Sequence, residues 1–226
     1  MNTIFKTLFS TIILLFLGGS FCSAQSFSKY YTSTGINAFL DLEELDESVN
    51  EKHLNIHLLN AAIFHLTNIE RQNHNLTAFE FNSNLYKSAQ LHSDKMIALD
   101  FFDHLNKKEK KWREPKDRIL YFDKTYSALG ENIVENNLLN YKGTSLNYRT
   151  VKNGTGGLIY LDTNNEEIKN STYLQLANRL VRQWMNSKPH RENILNKSFS
   201  LLACACTINP NEVPILIRCT QNFGNK

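Results

Sequence analysis

The apolar residues of this chain keep a helical period in three segments between Asn55 and Asn186, and the long extended pattern comes only at its end. From Asn55 onward, Leu59, Ala62, Ile63, Leu66 and Ile69 recur at spacings of three and four, which places them on one face of a helix. Phe79 and Phe81 then share a face of a short extended piece. A second helix is predicted over about 83–99, capped by Asn82 or Ser83, with Leu85, Ala89, His92, Met96 and Leu99 facing inward. A third is predicted over about 171–186, with Leu176, Leu180 or Val181, and Trp184 on its apolar side. Only residues 201–208 and 215–222, joined by a turn-rich segment at 209–214, read as a strand hairpin. Helices first and strands last, without strand–helix–strand alternation, predict an α+β fold.

The first 24 residues read as an address rather than as part of that fold. Lys6 supplies a positive start, residues 8–17 form a short apolar run, and Cys22-Ser23-Ala24 ends in small residues. This is the pattern of a signal peptide cleaved after Ala24, and it predicts a secreted, extracellular or periplasmic product. No later stretch reaches the roughly 18 consecutive apolar residues of a membrane helix. The expected domain plan is a signal peptide at 1–24, a leader at 25–54 and one domain at 55–226. The leader reads either as a short helix packed on the domain or as a partly ordered arm. Residues 140–170 are rich in Gly, Asn and Thr, with a possible strand at 158–161. That length marks a functional or variable insertion. A formal charge of +3 argues against nucleic acid as a partner.

After cleavage the cysteines are Cys204, Cys206 and Cys219. Three thiols cannot build a disulfide framework, so the hydrophobic core must hold the fold. With the hairpin centred midway between Asn209 and Pro214, Cys204 opposes Cys219, and a cross-strand disulfide between them is sterically feasible. The competing reading makes all three small buried hydrophobes.

Most of the seven histidines have plain explanations. His53, His57 and His65 lie along the first helical region without a carboxylate partner, His74 sits in a polar loop, and His92 reads as a core histidine. His104 differs, because it ends a core-facing helix behind Phe101-Phe102-Asp103. His190 follows a break at Ser187-Lys188-Pro189, where a new helix is predicted to start. Glu131 stands in Gly130-Glu-Asn-Ile133. Lys107, Lys108, Lys110, Lys111, Arg113, Lys116 and Arg118 form a basic cluster beside His104, with Trp112 in its midst. Such a cluster is either a solvated loop or a surface that draws anionic lipid headgroups or wall polymers.

Phe101-Phe-Asp-His104, Gly130-Glu-Asn-Ile133, the run from Trp184 to Leu195 and Gln221-Asn-Phe-Gly224 resemble, in order, the landmarks of bacterial CAP domains. The Asn68-to-Arg71 and Pro115-to-Arg118 segments resemble that family's first helix and its connection before the Gly-Glu-Asn element. The resemblance covers about residues 55–224. It implies an α-β-α sandwich with a central antiparallel sheet, and a surface cleft that gathers His104, Glu131 and His190. Such a constellation can hold a divalent metal, typically zinc, through the two imidazoles with Glu131 as third ligand or as an orienting group, or it is a polar cleft without metal in which Glu131 fixes the loops by accepting backbone N–H bonds. A second Glu that completes the cluster in animal members is missing here, since Met185-Asn-Ser187 follows Trp184. The expectation is therefore a monomeric extracellular module that binds a lipid, glycan or protein ligand. The alternative is a metal-dependent hydrolase in which His104, Glu131 and His190 act on a bound water.

Overall fold

The structure, a computed structural model, describes residues 29–31, 35–141 and 147–226, so the predicted signal peptide at 1–24 lies outside the described residues. Helix α1 spans Ile36–Leu40 and α2 spans Ile56–Asn73, started by Asn55, whose side chain accepts the Leu58 N–H at 3.1 Å. Strand β1 is Glu80–Phe81, followed by α3, Ser83–Ala98, which Asn82 caps through the N–H groups of Asn84 and Leu85. The charged stretch that holds the basic cluster runs into helix α4, Pro115–Phe122. Its signals were Pro115 at the first helical position and Asp117, which accepts the Glu114 N–H at 3.0 Å.

Strand β2, Ala128–Asn137, follows α4. The insertion at 140–170 carries a small separate hairpin of β3, Arg149–Lys152, and β4, Leu158–Leu161. Helix α5 is Tyr173–Asn186, begun by Thr172 and Gln175, each of which bonds the other's backbone N–H. Helix α6 is Lys188–Ile194, and the chain ends in β5, Leu201–Asn209, and β6, Leu216–Asn225.

The main sheet runs β1-β5-β6-β2, antiparallel except where β1 lies parallel to β5. Alternation along β5 sorts its side chains to two helical layers. Leu202, Cys204 and Cys206 join the large core with α2 and α5, while Ala203 packs against Leu85 of α3, Ile119 of α4 and Tyr126. Ser93 of α3 confirms the second face by donating to the Ala205 carbonyl at 2.9 Å. The layers are therefore α-β-α, as the resemblance implied. Helix α2 is buried on more than one stripe, because the segment before it covers its outer side. Phe39 stacks on His65 with ring centroids 4.3 Å apart, and Leu45 and Val49 are buried in the same core. For residues 35–50 the leader is thus a packed element.

Strand β2 is the sheet's edge, and its outward carbonyls are taken by side chains. Asn193 donates to Glu131 O, Trp184 Nε1 to Ile133 O, and Arg179 to Asn137 O, at 3.2, 3.0 and 2.8 Å. Helices α5 and α6 so close the edge against further strand pairing. Gly130 earns its place on this strand through close packing: a Cβ there would lie 2.9 Å from the Phe199 ring.

The hairpin register corrects the expected disulfide. Asn209 pairs with Leu216, so Cys206 opposes and bonds Cys219, while Cys204 opposes Gln221 and is a buried free thiol. The cause lies in the turn. Pro214 has no N–H to give a ladder, and the Ile215 carbonyl accepts from Leu138, so pairing starts at Leu216. Peptide mapping without reductant is expected to return a Cys206–Cys219 peptide, with Cys204 alkylated only after denaturation. A Cys204–Cys219 peptide would overturn this register. Cys219→Ala should cost on the order of 3 kcal/mol, given the 13-residue separation it releases.

Candidate functional site

Glu131 sits on β2 opposite Asn222 of β6, where the sheet meets the loop after α3. Its side chain is only 2% exposed, and each of its oxygens has two nitrogen neighbours within hydrogen-bond distance. Arg118 of α4 gives one guanidinium nitrogen to both oxygens, at 2.9 and 2.8 Å. His104 Nδ1 lies 2.9 Å from Oε1. With its amide turned to suit its neighbours, Asn222 donates to Oε2 at 3.2 Å while accepting from Ser88 and Ala89. Burial alone would raise the Glu131 pKa, but the His104 hydrogen bond and the nearby His92 and Arg118 outweigh it and hold the carboxyl below its usual value.

Arg118 is as much a brace as a counter-ion. Its Nη1 donates to the Trp112 and Arg113 carbonyls at 3.0 and 3.1 Å, and its Nη2 also reaches His104 O at 3.0 Å. A fully buried guanidinium therefore ties the His104 loop, the start of α4 and β2 into one unit. His92 of α3 completes the inner layer. It has no exposure, its Nε2 lies 3.1 Å from Asp103 O and 3.8 Å from Glu131, and its Nδ1 has no partner. The neutral ring with the proton on Nε2 satisfies this geometry. Burial pushes the His92 pKa down to about 4, against the pull of Glu131.

His190 approaches from α6. That helix starts immediately after α5 ends, and Ser187 joins the two. Asn132 donates to His190 O at 3.1 Å and to Gln221 at 3.1 Å, and Gln221 passes the chain to Thr67 on α2 at 2.8 Å. Asn193 adds a bond to Asn132 at 2.9 Å. Buried amides thus register α6 against the sheet. Burial, with His104 nearby, lowers the His190 pKa.

The open face of this assembly is a cleft of about 420 Å³. Phe102, Ile133, Val134 and Trp184 give it apolar walls, and His104, His190 and Ser187 give it polar groups. Gln183 also lines a neighbouring groove of about 830 Å³, which continues along β2 past Asn136, Tyr141 and Arg182. The three residues singled out by sequence are neighbours, but not equals. The His104 and His190 rings face the cleft with centroids 6.4 Å apart, while Glu131 lies behind His104 and does not line it. Among the described residues no group of three His, Cys, Asp or Glu side chains is arranged to hold a metal ion. With Glu131 engaged at both oxygens, two imidazoles are a poor match to a three-ligand zinc site.

Two residues of the site were passed over in the sequence. In sequence Arg118 falls within the basic cluster, although it stands next to Ile119 on the face α4 buries. His92 was read as a satisfied core histidine, and its contact with Glu131 depends on a fold that brings α3 to β2.

No helix among the described residues is long and apolar enough to cross a membrane. The chain is 28% identical over 138 residues to the uncharacterised protein YkwD of Bacillus subtilis, a match that covers 61% of this chain and 38% of that protein. The chain thus spans well under half the length of this curated relative. Among solved structures it is similar to an extracellular SCP-domain protein of Bacillus anthracis, at 23% identity and a TM-score of 0.48. That match covers 74% of this chain and 40% of the other. It is also similar to an outer surface protein of Borrelia burgdorferi, at 16% identity and a TM-score of 0.49, covering 80% and 98%. The model of the cysteine-rich secretory protein family, CAP, matches residues 64–223, more than half of the chain, and the chain belongs to that family.

Proposed function

We propose that the chain is exported and acts as a monomeric extracellular binding module, taking a lipid, glycan or protein ligand in the cleft between His104 and His190. The observation that carries this reading is the confinement of Glu131. Its carboxylate is engaged at both oxygens and lies out of the cleft, so it holds the scaffold and offers no base to a ligand. Asp103 at the rim has one partner on each oxygen, the Leu105 N–H and Lys107, and these hold its pKa down. An apolar floor with a few fixed polar groups suits recognition, and a cleft of about 420 Å³ falls within the size of small-molecule sites. The continuation past Gln183 gives room for an extended ligand. Export is supported by the pattern of residues 1–24 and by a disulfide, which an oxidising compartment preserves.

The test compares the chain from Gln25 onward with His104→Ala and His190→Ala, on arrays of envelope lipids and glycans and in a calorimetric zinc titration. At least one array ligand is expected to bind wild type and to weaken about tenfold in both variants, as losing a polar contact in a desolvated site predicts. Zinc is expected to show no binding at micromolar concentration. Saturable micromolar zinc binding lost in both variants would replace this reading with the metal-dependent hydrolase. Array binding indifferent to both substitutions would remove the cleft from recognition.

A further inference from the structure

Helix α4 and the turn before it carry a second surface, outside the cleft. Lys111 sits 4.3 Å from the centre of the Trp112 ring and 4.5 Å from that of Tyr121, and these rings meet edge to face at 4.7 Å. Tyr121 is 57% exposed, among the most exposed large apolar side chains described. Lys110, Lys111, Lys116, Asp117, Leu120 and Tyr121 together line a shallow open concavity.

The charge here is not balanced locally. Lys107 pairs with Asp103, Lys116 with Glu114, and Glu109 is taken by Lys95. Lys108 is turned to the Leu99 and Asp100 carbonyls. Among the described residues no carboxylate pairs with Lys110, Lys111 or Arg113, and all three are exposed. Three cations without a carboxylate partner therefore border an exposed tyrosine, an indole and a leucine on one rigid element. The rigidity comes from Arg118, which holds the Trp112 and Arg113 carbonyls from the inside.

We propose that this face docks the protein on an anionic phospholipid bilayer. The cations match the charge of phosphate headgroups, a match that a dissolved polyanion also offers. The aromatic and aliphatic edge decides between the two, because Tyr and Trp gain from the headgroup–acyl boundary, which a soluble polymer lacks. Docking on this surface does not depend on what the cleft binds.

The test is sedimentation of the chain from Gln25 onward with vesicles of phosphatidylglycerol and phosphatidylcholine in equal parts, against phosphatidylcholine alone. Residues 1–24 are left out because their apolar run would itself enter a bilayer, and every buried core residue described lies after them. Binding is expected to the anionic vesicles only. Each basic residue near such a surface contributes about 1 kcal/mol, so Lys110→Glu/Lys111→Glu/Arg113→Glu should lower partitioning by on the order of 100-fold or more. A variant with the same change in net charge, Lys52→Glu/Lys152→Glu/Lys169→Glu, alters exposed residues elsewhere and should bind within a few-fold of wild type. Tyr121→Ser should weaken vesicle binding several-fold. Absence of wild-type binding to the anionic vesicles, or equal loss in the matched-charge variant, would overturn the proposal. So would indifference to Tyr121→Ser together with equal affinity for soluble polyphosphate, which would assign the patch to a dissolved polyanion.

Discussion

Arg118→Met is expected to destabilise the domain by about 3–5 kcal/mol, because it leaves the Glu131 carboxylate charged, buried and short of its main donor. Neither side chain of the pair is more than 2% exposed, so solvent offers little screening to reduce that cost. Glu131→Leu strands the guanidinium instead and should cost a similar amount. The double variant separates a stranded charge from lost packing. With both charges gone, Arg118→Met/Glu131→Leu should be clearly less destabilised than the sum of the single changes. Urea unfolding of the four proteins at pH 7.5 supplies the cycle. Additive losses would mean that the pair is not coupled and that Arg118 acts only through the Trp112, Arg113 and His104 carbonyls.

The same pair shows where sequence reading stops. Helix α2, helix α3, helix α5 and the closing hairpin were legible because their apolar residues keep a period of 3.6 or 2 over many positions. Asn55, Asn82 and Thr172 mark helix starts by local bonds that any reader can expect. His104, Glu131 and His190 were legible as candidates, but their ranking was not. Whether Glu131 faces the cleft or backs it depends on Arg118, 13 residues away, and on Asn222, 91 residues away. No local pattern carries either contact. The helix at 115–122 is hard to read in sequence because it is only two turns long and its apolar residues, Ile119 to Phe122, form one short run with no repeat from which to take a period. The cysteine pairing failed for a different reason. A six-residue turn leaves several registers open, and a shift of one residue in its centre moved the partner of Cys219 from Cys204 to Cys206.

Acid should unfold this domain in two stages, and the first belongs to the imidazoles. His92 has a folded pKa near 4 against an ordinary value of about 6.5 in the unfolded chain. Between these values the unfolded chain holds a proton that the folded protein refuses, so stability is complete above about pH 6.5 and falls as the pH drops toward 4. The His92 contribution is on the order of 3 kcal/mol, from the same two values. His65 and His190, also lowered by burial, add in the same direction. Glu131 acts in a lower window. Its carboxyl is held below the ordinary value, so its stabilisation is full above about pH 4.5 and disappears only as the pH falls through the depressed folded value. Unfolding by urea at pH 7.5, 5.5 and 4.5 reads the first stage. His92→Gln keeps a polar side chain of similar length beside Asp103 O, so its folded state should survive while most of the slope between pH 6.5 and 4.5 disappears. A variant that is folded at pH 7.5 but loses stability as steeply as wild type over that range would show that His92 is solvated in the folded protein. The inner layer of Arg118, Glu131 and His92 would then be open to water rather than sealed behind His104.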